Sequence, residues 1–233
     1  MKTNPSWKPV LKAGQLAESR LVKAFLDGTF PINSNLPAER ELATLLGVTR
    51  PTLREALQRL ERDGFVEIQH GKPTRVRDFW IEGNLGVTIA LAQYQQPLPK
   101  NFIADLLAVR ILLAPTYTST AVSRAPQHLA SFLDTAHDLP ETAQDYAAFD
   151  WEVHWQLTIL AGNTFFIHFM NSVRSLYQCV GTSYFNHQQT RDHSRDFYTE
   201  LQTCARNRNA VRAGELAKRV MEESASLWKK VSA

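Results

Sequence analysis

Cysteine is scarce in this chain. Cys179 and Cys204 are the only two in 233 residues. Two cysteines make no disulfide framework, and they read as buried thiols in a reducing compartment. The opening residues, MKTNPSWKPV, hold no apolar run of the kind that directs export. The most apolar region, FIADLLAVRILLAPTY, is interrupted by Asp105 and Arg110 and is too short to span a bilayer. No membrane partner is therefore expected, and a cytoplasmic location is. There is no glycine-rich phosphate loop, internal repeat or low-complexity tract. No Ser-His-Asp order or paired-carboxylate motif occurs, and seven scattered histidines make no catalytic constellation, which argues against an enzyme and against a bound cofactor.

What is present is an ordinary globular composition, 44% apolar and 21% charged, with a biased charge distribution. Residues 1–80 hold 13 Lys/Arg against 9 Asp/Glu, whereas residues 81–233 hold 13 against 14. The basic excess of the first third points to a polyanionic partner there.

Periodicity divides the chain. A first helix is predicted from about Pro9 to Leu26, with Leu21, Val22, Phe25 and Leu26 on its buried face, ended by Gly28 and Pro31. A second runs from Pro37 to Leu46 and stops at Gly47. Thr49 is the expected N-cap of a third, which tolerates Pro51 in its first turn and ends at Asp63-Gly64. FVEIQH and TRVRDF alternate with period two and read as strands joined around Gly71-Lys72. Beyond IEGNLG, six segments between Phe102 and Val231 carry apolar residues three and four apart. The expected architecture is mainly α. A winged helix-turn-helix occupies residues 1–79, a linker 80–86, and an all-α helical bundle of six or seven helices 87–233.

The third helix has Leu53, Ala56, Leu57 and Leu60 on one face and Arg50, Arg54, Gln58 and Glu61 on the other. A plain solvated face has this pattern too. Preceded by a helix and a tight turn, however, it takes the place of the second helix of a helix-turn-helix, whose N-terminal residues meet base edges in the major groove. Arginine can grip guanine with two donors, and threonine can contact phosphate or a thymine methyl. The hairpin tip, His70-Gly71-Lys72, suits an adjacent minor groove, because glycine permits close backbone approach and the polar side chains meet a narrow, negative furrow.

Residues 36–76, LPAERELATLLGVTRPTLREALQRLERDGFVEIQHGKPTRV, resemble the winged helix of the GntR superfamily of bacterial transcription regulators. The tip QHGKPT and the following DFW are similar to the fatty acid metabolism regulators within it, as are LLAVR, AGN, LY…GTSYF and ES…LW further on. This resemblance implies DNA contacts at Arg40, Thr49, Arg50, Thr52, Arg54, His70, Gly71 and Lys72. Pro51 stands where those regulators usually have threonine, so a hydroxyl contact is lost or replaced there. The resemblance also implies a homodimer on a pseudo-palindromic double-stranded operator, and long-chain fatty acyl-CoA as effector. Fatty-acid degradation genes would be repressed, and unsaturated fatty-acid synthesis genes activated.

An acyl tail needs an apolar tunnel, and CoA phosphates need cations near its mouth. In the last helix Leu216, Val220, Leu227 and Val231 form one stripe and Met221, Ser224 and Trp228 another. Arg110 inside an apolar helix needs an anionic or carbonyl partner. Arg110, Tyr184, Ser224 and Trp228 are the expected ligand path, with Lys218 and Arg219 for phosphate; core packing with a structural ion pair is the plainer reading of the same residues. Met221 replaces a glycine usual in the family. A second effector class is a metal with a small carboxylate. Related GntR regulators use one Asp and three His, and Asp150 and His154 in FDWEVHWQL match the first two. Tyr198 and Glu222 stand near the remaining ligand positions, and His187 and His193 fall in a segment that reads as loop.

Overall fold

The structure is a computed structural model that describes residues 12–94 and 101–231. The expected start of the first helix at Pro9 and the side chains of Cys179 and Val231 lie outside the described residues. The chain forms two compact units, residues 1–97 and residues 98–233.

In the first unit, α1 (Ala13–Leu26), α2 (Glu39–Leu45) and α3 (Arg50–Asp63) precede a hairpin of β1 (Val66–Glu67) and β2 (Arg75–Val76). Leu21, Val22, Phe25, Leu42, Leu53, Ala56, Leu57, Leu60 and Phe65 are buried together. The apolar stripe predicted for α3 is therefore its core face. Thr49 caps α3 by accepting from the Thr52 amide at 3.3 Å. The turn between α2 and α3 is closed at Gly47, with φ 62°, and the Arg20 guanidinium donates to the Leu46 carbonyl at 2.6 Å.

The strands pair antiparallel, Val66 with Val76 and Glu67 with Arg75. A third edge was not anticipated. Asn35 bridges Arg75, the Asn33 amide donates to the Val76 carbonyl and the Leu36 amide to the Thr74 carbonyl, each at 2.8 Å. The polar run before α2 thus ties the wing to the helices. Residues 80–86, where a linker was expected, are partly helical: α4 (Phe79–Glu82) and α5 (Leu85–Tyr94) belong to this unit, α5 packing on α1 and α3. Phe79 anchors the segment by packing on Phe65, their ring centroids 5.3 Å apart.

The second unit contains seven helices among the described residues: α6 (Phe102–Arg124), α7 (Pro126–Asp134), α8 (Ala143–Ala161), α9 (Thr164–Ser172), α10 (Arg174–Phe185), α11 (Gln188–Arg206) and α12 (Ala210–Val231). A 3-10 turn, Thr135–Asp138, follows α7. The segment read as one helix from Phe165 to Phe185 breaks at the single residue Val173. His193, expected in a loop, is in α11. The centre is α8, whose buried residues Tyr146, Asp150, Trp151, Val153, His154 and Leu157 share one broad face, opposite the exposed Gln144, Ala148 and Ile159. That face mixes apolar side chains with the buried polar Asp150, His154 and Thr158. Among the described helices α6 alone is long and apolar enough to cross a membrane, yet it packs along α12 and α8. Gly214 of α12 meets the Pro115 carbonyl and Ser119 of α6, while Ser224 and Trp228 meet its first half, so the two helices run antiparallel.

Gly64 ends α3 in the left-handed region, φ 97°. A Cβ there would lie 2.8 Å from the Gly83 Cα. Gly64→Ala should therefore cost about 2 kcal/mol or more, from backbone strain plus the clash. Chemical denaturation of the two proteins checks this, and an unchanged midpoint would contradict the close approach.

Candidate functional site

Two places gather the predicted site residues, one in each unit. The first is the exposed edge of α3 with the wing tip. Arg40, Thr49, Arg50, Pro51 and Arg54 are exposed on α2 and the start of α3, with Thr52 half-buried among them. The Thr49 and Thr52 hydroxyls lie 2.8 Å apart, so each is partly used within the cap. Pro51, in the first turn of α3, has no N–H to leave unpaired. At the wing tip the Lys72 amide donates to the Gln69 carbonyl at 3.2 Å, and Gly71 has φ 72°, as the third position of a type II turn requires. His70, Gly71 and Lys72 are exposed. Arg40, His70 and Lys72 form no ion pair among the described residues.

Arg54 does form one. Its Nε donates to Glu39 Oε2 at 2.7 Å, and Arg50 Nη2 lies 3.8 Å from the same oxygen. Sequence reasoning missed Glu39. It lies 11 and 15 residues before its partners, a spacing with no local meaning.

The second place is a cavity of about 40 Å³ between α6, α8, α10 and α12. Ile103, Leu106, Leu107, Val180 and Phe185 supply apolar wall, and Arg110, Tyr184, Ser224 and Trp228, all predicted, also line it. Lys218 and Arg219 do not line it. Lys218 is exposed, and Arg219 pairs with Glu200 at 2.9 Å. Both point away because five or six residues separate them from Ser224, which is not helical phase.

The cavity floor is a buried polar network. Arg110 Nη2 lies 2.8 Å from His154 Nε2 and 3.6 Å from Asp150 Oδ2. Tyr198 donates to Asp150 Oδ1 at 2.8 Å, and Tyr177 donates to the other oxygen. Tyr117 Oη lies 2.8 Å from His154 Nδ1. A guanidinium can only donate, so His154 Nε2 accepts, and its proton sits on Nδ1, donated to Tyr117. Burial, then the neighbouring Arg110 charge, push the His154 pKa down to about 4. Burial alone would raise the Asp150 carboxyl, but the charge of Arg110 and the two tyrosine donors hold it below its ordinary value. Burial likewise opposes the Arg110 charge, and the Asp150 carboxylate beside it favours that charge. Arg110 is thus a permanent cation with the anionic partner its sequence position demanded.

This arrangement does not fit a metal. The guanidinium already occupies the space between Asp150 and His154 and uses the nitrogen that would ligate. Tyr198, near a third ligand position, spends its hydroxyl on Asp150. No group of three or more metal-ligating side chains occurs among the described residues. His193, now helical, pairs with Glu223 at 2.9 Å on a different face.

One polar group in the cavity is unspent. The Tyr184 hydroxyl is buried, lies beside Ser224, and makes no hydrogen bond of good geometry.

A basic recognition helix with its wing, on a chain whose other unit is a cavity-bearing helical bundle, defines a DNA-binding regulator of the winged helix-turn-helix class. Comparison with known proteins agrees. The family described as bacterial regulatory proteins, gntR family, matches residues 14–76, and the FadR C-terminal domain matches residues 77–233. Two curated relatives are each called fatty acid metabolism regulator protein. That of Shewanella frigidimarina is 36% identical over 92% of this chain and 90% of its own. That of Haemophilus influenzae strain PittGG is 36% identical over 95% and 93%. A solved structure of Lar from Listeria monocytogenes, 14% identical, covers 96% of this chain and 99% of its own with a TM-score of 0.66, and shares the fold. The chain belongs to the gntR family of bacterial regulatory proteins and carries the FadR type of C-terminal domain. It is a transcription regulator and not an enzyme.

The buried His154 makes a pH prediction. Its folded pKa of about 4 lies below the ordinary 6.5. The unfolded chain therefore binds the proton first, and stability falls as pH drops from about 6.5 towards 4. The full effect is about 3 kcal/mol at one proton per molecule. In His154→Gln the urea midpoint should lose that part of its pH slope; an unchanged slope would remove His154 from the network's titration.

Proposed function

We propose that this protein is a homodimeric, cytoplasmic regulator of fatty acid metabolism that leaves its operator when long-chain fatty acyl-CoA binds the bundle. The names of the curated relatives support the metabolic role. The observation that carries the ligand is the cavity itself. It has apolar walls, one paired cation at its floor and an orphan hydroxyl beside Ser224. That is the pattern of an alkyl chain with a single polar junction.

At about 40 Å³ the cavity has room for a few waters and no alkyl chain. The ligand must therefore enter by moving Trp228, Tyr184 and the helices that carry them. In this reading, binding and displacement are one event. Displacement that reaches Arg110 perturbs the ion pair that ties α6 to α8. A shift of the bundle then changes the spacing of the two reading heads, which sit about one helical turn apart on a pseudo-palindrome. Arg40, Thr49, Arg50, Thr52 and Arg54 serve the major groove, and His70, Gly71 and Lys72 the minor. Repression of fatty-acid degradation genes and activation of unsaturated fatty-acid synthesis genes complete the proposal.

Calorimetric titration of the full chain with oleoyl-CoA should give saturable heat, and zinc plus citrate none. Metal-dependent citrate heat would instead favour the small-carboxylate class of effector. Trp228→Ala should leave operator binding intact while blunting release by oleoyl-CoA. A wild-type release curve in that variant would move the ligand elsewhere. Arg50→Ala and Arg54→Ala should each lose about 1–3 kcal/mol of specific binding if both touch bases. Gel-shift titration reads this directly, and wild-type affinity in both would refute the groove assignment.

A further inference from the structure

We propose that Glu39 is a positioning residue for sequence reading, which fixes how Arg54 presents itself to a base. The inference rests on the DNA-reading role given to α3 above. Glu39 is the first residue of α2 and lies outside the recognition helix. Its carboxylate takes the Nε–H of Arg54 at 2.7 Å. The pair stays open to solvent, with the Arg54 side chain 59% exposed and that of Glu39 34%.

An arginine can reach the O6 and N7 of guanine in two ways, side-on through Nε and one Nη, or end-on through both Nη groups. Glu39 occupies the side edge. Only the end-on pair of Arg54 remains, and neither Nη group has a partner among the described residues. The bond also restricts the rotation of the guanidinium before DNA arrives, so less is lost on binding. Arg50 is different. Its Nη2 is 3.8 Å from the same oxygen, an ion pair without a hydrogen bond. Arg54 is thus the fixed reader and Arg50 the adaptable one, free to follow a phosphate or a neighbouring base.

A carboxylate on this surface has an electrostatic cost, because it repels the phosphates the surface must approach. Glu39 also sits in the favourable first turn of a helix. That role is shared by Glu41 in the same turn, whereas the grip on Arg54 belongs to Glu39. Glu39 therefore gives up some general affinity for DNA and gains discrimination at one base pair.

The test selects duplexes from a randomised library with the full-length wild type, Glu39→Ala, Glu39→Gln and Arg54→Ala. The wild type should enrich a motif containing a guanine that Arg54→Ala no longer selects. Glu39→Ala should lose about tenfold in preference at that same position, and bind unselected duplex more tightly than the wild type. Glu39→Gln keeps an acceptor for Nε–H, so it should retain the preference while sharing the gain in general affinity. Thermal melts accompany each variant. If Glu39→Ala is too unstable to use, Glu39→Asp, a methylene shorter and out of reach of Nε, takes its place and should lose the preference without the gain in general affinity, because it keeps the charge. The proposal is overturned if the Arg54-dependent guanine survives at full strength in Glu39→Ala, whatever the melting temperature does. If the wild type enriches no motif, the DNA-reading role of α3 fails first and the positioning role falls with it.

Discussion

The buried charge of Arg110 constrains the helical unit more than any other single feature. A guanidinium inside a bundle is costly unless it is paired and hydrogen-bonded. Here its partners come from α8, at Asp150 and His154. Asp150 in turn is satisfied from α10 by Tyr177 and from α11 by Tyr198, and His154 from α6 by Tyr117. Four helices meet at one ion pair. Removing one partner would leave a charge stranded, so the network fixes how these helices sit against one another. The apolar contacts around it, Phe197 on His154 and Phe149 on Tyr198 among them, fill the space that the network defines.

The same network forms the floor of the cavity. Above it the walls are apolar and the Tyr184 hydroxyl is unspent. The cation beside Asp150 and His154 is a side chain of the protein itself.

The first unit follows a different logic. Its core is built from local segments, and its function lies on what the core leaves outside. The α3 stripe of Leu53, Leu57 and Leu60 goes in, which turns Arg50 and Arg54 out. The tie between residues 33–36 and β2 holds the wing next to the helices. Arg75 secures that tie by donating to both Glu67 and Asn33.

Much of this unit was legible in the sequence because its determinants are short-range. Thr49, Gly47 and Gly64 set the ends of helices through their own backbone chemistry, and period-two alternation marked the hairpin. The short third edge at Asn35 carried no pattern and was not seen. In the bundle, periodicity gave the helices but not their phase. The broad apolar face of α12 allowed Lys218 and Arg219 to be placed at the cavity mouth, whereas packing turns them outward. Val173 interrupts a segment whose apolar spacing is continuous across the break.

The sequence by itself determined the order of the elements, the contiguous reading head and the apolar, mainly helical character of the second unit. Each of these follows from residues within a few positions of one another. Tertiary structure alone decided that Arg110, Asp150, His154, Tyr177 and Tyr198 share one network, and that Glu39 grips Arg54. Those contacts join residues 15 to 48 positions apart, and only the packing of whole helices brings such groups within hydrogen-bonding distance.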